Sequence, residues 1–279
     1  MSNAALALIG SALFIFITVG IAEEKSPLDD LVITIPKVAE PQQAPPDMLD
    51  SPEIFESPGI TLAPGNTVDV ESIMEIEEDQ TLAKLKSLAA VNLASNQVYE
   101  AARFYWRAAR RAGGDQEALA GLAASFLLGE DAVRARTLYE VLVAKYPAEE
   151  EYRFNLSSSY YRLGDYKAAT GILRKLHKEH PLDAKILYNL ALNLLAEGEK
   201  ALGIRYMERS FELLPENPFP LLALARTYSR EQDRGNMVKN LEKAAELLSP
   251  GELELYLRDP AFERWRGEGL FEKILSGSL

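Results

Sequence analysis

Residues 150–183 read EEYRFNLSSSYYRLGDYKAATGILRKLHKEHPLD, and residues 184–217 read AKILYNLALNLLAEGEKALGIRYMERSFELLPEN. Laid over one another at an offset of 34, Leu156 falls on Leu190, Ser157 on Ala191, Tyr160 on Leu194 and Gly164 on Gly198. The match continues with Ala169 on Gly203, Leu173 on Met207, Leu176 on Ser210 and Pro181 on Pro215. A fixed period of this length marks stacked structural repeats. Inside a unit the apolar residues recur at helical spacing, as in Ile186, Leu187, Leu190 and Leu194, then Ile204, Met207 and Phe211. Gly164-Asp165 and Gly198-Glu199 supply the turn between two helices. One helix pair cannot bury its own apolar face, so neighbours must stack on it.

Working outward, three more units follow the pattern. Ala123, Phe126, Ala135, Tyr139, Leu142 and Pro147 place a unit at 116–149. Before it, Ala90, Leu93, Ala102, Trp106 and Ala109 place one at about 83–115, a residue shorter, with Gly113 and Gly114 where the proline is expected. Downstream, Ala225, Tyr228, Leu241 and Ala244 place a unit at 218–251, in which Met237 replaces the small residue at the helix crossing. The tail 252–279 is expected to cap the stack as one or two amphipathic helices, the second starting at Pro260. Leu255, Phe262, Trp265, Phe271 and Leu275 would cover the last repeat, with Glu252, Arg258, Glu263 and Arg266 facing water.

This pattern resembles the tetratricopeptide repeat family across all five units, from about 83 to 251, the repeat region being set at 76–251. The resemblance implies an all-α chain whose five helix pairs wind into a right-handed superhelical solenoid, with the first helix of each pair lining a concave groove. The groove would then present Lys84, Ser87 and Val91, then Glu117, Ala120, Ala124 and Leu127. The third unit would add Glu151, Phe154, Asn155, Ser158, Tyr161 and Arg162, and the fourth Lys185, Tyr188, Asn189, Leu192 and Leu195. Leu222, Arg226 and Arg230 would complete it. Such a lining is small and apolar at one end, aromatic and basic at the other, and suits a peptide or partner protein carrying acidic and apolar side chains. Relatives hold a peptide backbone with asparagines at the place of Asn155 and Asn189, because an amide both donates and accepts. The alternative is that Asn is simply common there. Some relatives also clamp a C-terminal carboxylate; Asn155 and Lys185 match two places of that clamp, whereas Ala120, Ala124 and Asn189 hold the others.

Charge divides the chain. The net charge of −12 comes from residues 1–80, which hold 15 acidic residues against Lys25 and Lys37, while the remainder is nearly neutral. That argues against nucleic acid as a ligand. Residues 4–22, AALALIGSALFIFITVGIA, carry no charge and have the length of a bilayer-crossing helix. Residues 1–25 are therefore read as a membrane anchor or an export signal, which puts the chain at a membrane or outside the cytoplasm, in a bacterial envelope or periplasm.

Residues 26–75 are read as a disordered linker, proline-rich and acidic. Within it, Ile54 and Phe55 between Glu53 and Glu56 form a candidate short motif for a partner or for this chain's own groove, the alternative being an inert tether.

Catalytic signals are few. With no cysteine, thiolate metal sites and cysteine nucleophiles are excluded. His177 and His180 share a helix face near its end, but two ligands are too few for a metal. Arg103, Arg107, Arg110 and Arg111 form a basic stripe, read as a solvated face, with an anionic lipid or acidic partner as the alternative. The chain is expected to need no cofactor and to act as a non-enzymatic scaffold. A self-assembling structural repeat protein is the rival reading.

Overall fold

The computed structural model describes residues 14–16, 32–34 and 81–277. Phe14–Phe16 and Val32–Thr34 pair as two short strands. The rest of the expected anchor and the Ile54-Phe55 segment lie outside the described residues. From residue 81 the chain is helical, and it falls into two compact units that divide between Leu163 and Gly164.

The first unit holds α1 (Leu82–Ala94), α2 (Val98–Arg111), α3 (Gln116–Leu128), α4 (Ala132–Lys145) and α5 (Glu150–Arg162), each packed on the next. The second holds α6 (Tyr166–Glu179), α7 (Ala184–Glu197), α8 (Lys200–Leu213), α9 (Phe219–Arg230) and α10 (Arg234–Ala245). It ends in α11 (Pro250–Leu257), a 3-10 helix (Pro260–Glu268) and α12 (Leu270–Ser276). The expected all-α array of helix-pair repeats with a C-terminal capping region is thus observed.

Three sets of backbone positions recur at the period of 34. First helices are preceded by Thr81, Asp115, Glu149, Asp183 and, just ahead of Pro218, Asn217; second helices are preceded by Gln97, Asp131, Asp165, Glu199 and Asp233. The Thr81, Asp115, Asp131, Asp165, Asp183 and Asp233 side chains accept a hydrogen bond from a backbone N–H of the first helical turn, which satisfies donors that the helix itself cannot. Between the helices of each pair sits a residue in the left-handed region: Asn96, Glu130, Gly164, Gly198 and Gln232. That conformation reverses the chain after one helix and is cheap only for glycine, less so for Asn.

These positions correct the register of the first pair. The period of 34 runs unbroken through it, so the residue equivalent to Ala135 is Ala101, not Ala102, and Tyr105, not Trp106, is equivalent to Tyr139. Tyr105 is buried while Trp106 is half-buried, as that register requires.

Where paired helices cross, the side chains are small or absent. Within the units, Ala101 and Ala135 are fully buried, and a Cβ placed on Gly203 would lie 2.7 Å from Leu195 Cγ and 3.1 Å from the Ala191 carbonyl oxygen. The fifth pair accommodates Met237, wholly buried in the core of the C-terminal region.

That region is built from three elements rather than one or two. Phe262, Trp265 and Phe271 are buried with Leu253, Tyr256, Leu257, Leu270 and Ile274 against Leu221, Ala225 and Leu241, and Leu275 packs on the edge. Leu255 is only half-buried. Pro260 opens the 3-10 helix. Trp265 Nε1 donates to Ser229 Oγ at 2.8 Å, and Ser229 Oγ donates to the Ala261 carbonyl at 2.6 Å, fastening the region to α9. Ser249 and Glu252 form a reciprocal capping box at the start of α11.

Candidate functional site

The site residues expected from the sequence fall in both units, and each set is described within its own. In the first unit they lie on α5. Phe154, Asn155 and Ser158 are buried, and Tyr161 and Arg162 are half-buried. The Asn155 side chain bonds the Tyr139 hydroxyl on α4. Burial, then the charge of Glu151, pushes the Tyr139 phenol well above its ordinary value, and the bond from Asn155 pulls it back. One amide group of Asn155 is therefore committed to a buried neighbour.

Arg162 faces Glu130, the left-handed residue of the preceding turn, at 4.0 Å. Burial pulls its guanidinium below the usual value, and the Glu130 carboxylate opposes that shift. Arg162 Nε has no hydrogen-bond partner among the described residues.

Lys86 on α1, not singled out in the sequence, bonds Glu117 and lies 3.5 Å from Asp115. Burial would lower its ammonium, but these two carboxylates outweigh it and hold the net shift upward. Gln116 Nε2 donates to the Tyr152 hydroxyl at 3.0 Å, joining α3 to α5.

In the second unit, Lys185 is half-buried at the head of α7, where Asp183 accepts from the Lys185 and Ile186 amides at 2.8 and 3.0 Å. Tyr188, Asn189 and Leu192 are buried. On α9, Arg226 reaches Asp259 at 3.8 Å, and Arg230, one turn on, is exposed. Asp259 also caps the 3-10 helix. Arg226 thus has a structural partner in the C-terminal region.

A polar ladder went unread in the sequence. Ser125, Ser159, Asn193 and Thr227, each one period from the next, donate to the carbonyl one helical turn earlier, at Gly121, Asn155, Asn189 and Ala223. This local bonding lets a first helix bury short polar side chains without losing backbone bonds. The spacing of 34 was the available signal.

The stripe on α2 is satisfied largely by its own helix. Arg103 bonds Glu100 at 2.9 Å, Arg107 lies over Phe104 and Arg110 over Trp106, 5.7 and 4.8 Å from the ring centres. His177 stacks edge-on to Tyr206, and His180 follows the last turn of α6. Among the described residues no three His, Asp or Glu side chains gather as metal ligands, and no helix is long and apolar enough to cross a membrane. An open cleft of about 500 Å³ lies between α10, α11 and α12, floored by Leu248, Leu253 and Ile274 and rimmed by Glu242, Glu246 and Lys273.

Helix pairs repeated at a constant period, with capped turns and small crossing residues, define a helical-repeat protein. The tetratricopeptide repeat model matches residues 117–148 and 151–183, so these two units are tetratricopeptide repeats. The same fold appears in TTC0263, a tetratricopeptide repeat protein of Thermus thermophilus, at 21% identity and a TM-score of 0.55, over 70% of this chain and 100% of that one. It appears again in MamA (residue 41 to the end) from Desulfovibrio magneticus RS-1, at 22% identity and a TM-score of 0.52, over 60% of this chain and 94% of that one. Protein IFIT1 homolog B of Homo sapiens is 27% identical over 122 residues, 41% of this chain. The match spans only 25% of that human protein's length. Repeats of this family support protein–protein interaction scaffolds, which are generally non-enzymatic.

Proposed function

We propose that the chain is a scaffold that holds a peptide or partner protein against the first helices of its repeats, and that residues 1–25 tether it to a membrane or direct its export. The observation that carries the binding reading is the second unit. Arg226 and Arg230 stand one turn apart on α9 and Lys185 heads α7, while Tyr188, Leu192 and Leu222 on the same helices are buried. Guanidinium and ammonium groups on one face favour acidic segments. Membrane attachment rests on the uncharged run at 4–22 alone.

The test uses a displayed library of random peptides selected against the full chain and against an Arg230→Glu variant, a change at an exposed position. Enrichment of peptides combining Asp or Glu with Leu, Ile or Phe, at least tenfold weaker on the variant and at high salt, supports the reading. Enrichment without an acidic bias ends it. A peptide covering residues 47–62 belongs in the same experiment, since its Ile54, Phe55 and acidic flanks fit the description. For the tether, the full chain should sediment with membranes and a chain lacking residues 1–25 should not.

A further inference from the structure

The outward side of α2 is composed differently from that of α4, α6, α8 and α10. At the place of Trp106 those four second helices carry Glu140, Arg174, Glu208 and Glu242. Three of the four thus set an acid among their basic residues, as a solvated face does. On α2 a tryptophan stands there instead, and Glu100 is the helix's one carboxylate against four guanidinium groups. Arg103, Arg107 and Arg111 follow at intervals of four residues, about 6 Å of rise each, with Arg110 beside them. Trp106 borders this row on one flank and Phe104 on the other, both half-buried. Trp106 Nε1 is buried and has no hydrogen-bond partner among the described residues, so the part of the side chain that reaches solvent is hydrocarbon. The rings under Arg107 and Arg110 steer the guanidinium groups but bring no charge to neutralise them. Burial, then the like charge of Arg103, holds the Arg107 guanidinium below its usual value, with Glu100 opposing the shift.

We propose that this face of α2 docks on an anionic phospholipid surface. The charge is complementary, and each basic residue near such a surface strengthens binding about fivefold. The row of arginines runs about 12 Å along the helix axis, with apolar carbon on either side of it. Charge facing outward between apolar borders suits a helix lying along a headgroup layer, where tryptophan settles at the boundary between headgroups and acyl chains. The contact is independent of residues 1–25, because it is made by a folded helix of the first pair and needs no chain to cross the bilayer.

The chain has no native cysteine, so an environment-sensitive dye can be placed on the full-length protein at a single chosen residue. One site is Gln97→Cys, exposed at the head of α2 and making no capping bond; the control is Val91→Cys, exposed on α1. Each labelled chain is titrated with vesicles of phosphatidylcholine, with vesicles of phosphatidylcholine and phosphatidylserine in equal parts, and with polyglutamate at the same charge concentration. The proposal expects the dye at residue 97, and not that at residue 91, to respond to the anionic vesicles, at least tenfold more weakly to the other two. Anchoring through residues 1–25 would bring the chain to both kinds of vesicle and leaves this contrast intact. Arg107→Gln/Arg111→Gln should need at least tenfold more anionic lipid, since two charges worth about fivefold each are gone. Arg107→Lys/Arg111→Lys keeps the charges and should stay within about threefold of the parent chain. No response at residue 97, equal responses to the two vesicles or equal responses of the two dyes overturns the proposal. So does a response to polyglutamate as strong as that to anionic vesicles, which assigns the face to an acidic protein. A lysine pair as weak as the glutamine pair overturns it too, by tracing the loss to packing on Phe104 rather than to charge.

Discussion

The last helix pair and the first face the same problem and answer it differently. After α10 the chain spends three further elements on covering the pair, and their joint core contains Leu253, Tyr256, Leu257, Phe262, Trp265, Phe271 and Ile274. Before α1 no described element performs that task, and Val91 remains exposed. The apolar stripe of a repeat is continuous with its neighbour's, so an end unit must be covered or carry polar residues in place of apolar ones. The C-terminal pair is covered. The N-terminal pair substitutes Lys84 and Ser87 where later first helices carry Ala118 and Tyr152 or Gly121 and Asn155.

The largest expected effect removes the C-terminal solution. Trp265→Ala deletes a buried ring and the donor to Ser229, at a cost of about 3–5 kcal/mol. Thermal melting followed by circular dichroism should show the loss, and Trp265→Phe, which removes the hydrogen bond and keeps most of the packing, should lose less than half as much. A melt of Trp265→Ala that coincides with wild type would mean that the region is an appendage rather than part of the last repeat's core.

Gly121→Ala examines a filled joint in the first unit, the arrangement that α1 lacks. The new methyl group meets the Tyr105 ring, an overpacking that costs about 1–3 kcal/mol, of which alanine's better helix propensity returns up to about 1. A net loss of about 1–2 kcal/mol in urea unfolding is expected. Ser87→Ala, at the equivalent but exposed position, should change stability by less than about 0.5 kcal/mol. Equal losses at the two positions would erase the distinction between a filled joint and an open one.

How much of this was readable from the sequence depends on which atoms carry the constraint. The helix pairs and the crossing residues Ala135 and Gly203 were legible because buried side chains repeat their size and polarity. Three of the five left-handed turn residues were not, because Asn96, Glu130 and Gln232 lack the glycine that advertises the conformation, and the constraint sits in the backbone. The first pair was misread by one residue for a related reason. Ala89-Ala90, Ala101-Ala102 and Ala108-Ala109 are adjacent alanines, so side-chain size alone fits either register, and Gly113 stands where the next three units have proline. The candidate groove was harder still. Helical spacing places Asn155 on a face, but only packing reveals that the face also meets Tyr139.

The turn residues give a smaller effect that compares the first and last pairs directly. A non-glycine residue in the left-handed region costs about 1–2 kcal/mol, less for Asn, and glycine's extra freedom in the unfolded chain offsets part of any gain. Gln232→Gly should therefore stabilise by roughly 1 kcal/mol and Asn96→Gly by less than about 0.5, as measured by urea unfolding. Gains in the reverse order would show that position in the array, rather than residue type, sets the strain.

The smallest effect is acid sensitivity, and it too should separate the two regions. Around the last pair, one cap, Asp233, and one capping-box partner, Glu252, are carboxylates whose acidity is raised by the bonds they accept. The Asn236 amide and side chain hold Asp233 below its ordinary value, and the Ser249 hydroxyl and backbone N–H do the same for Glu252. A carboxylate with a depressed folded value stabilises the fold at any pH above its unfolded value, and that contribution disappears as pH falls through the folded value. The loss therefore begins below about pH 4, near the unfolded values of Asp and Glu. At the start of α1 the cap is the Thr81 hydroxyl, which does not titrate in this range. Acid should accordingly loosen α10 and α11 before α1. An Asp233→Asn/Glu252→Gln double variant keeps side chains able to accept the capping bonds but removes their titration, so its melting temperature should fall less between pH 6 and pH 3 than that of the wild type. Thr81→Ala, by contrast, should lower the melting temperature by the same amount at both pH values. Parallel wild-type and double-variant curves would mean that carboxylates elsewhere govern the acid response and that the caps of the last pair do not.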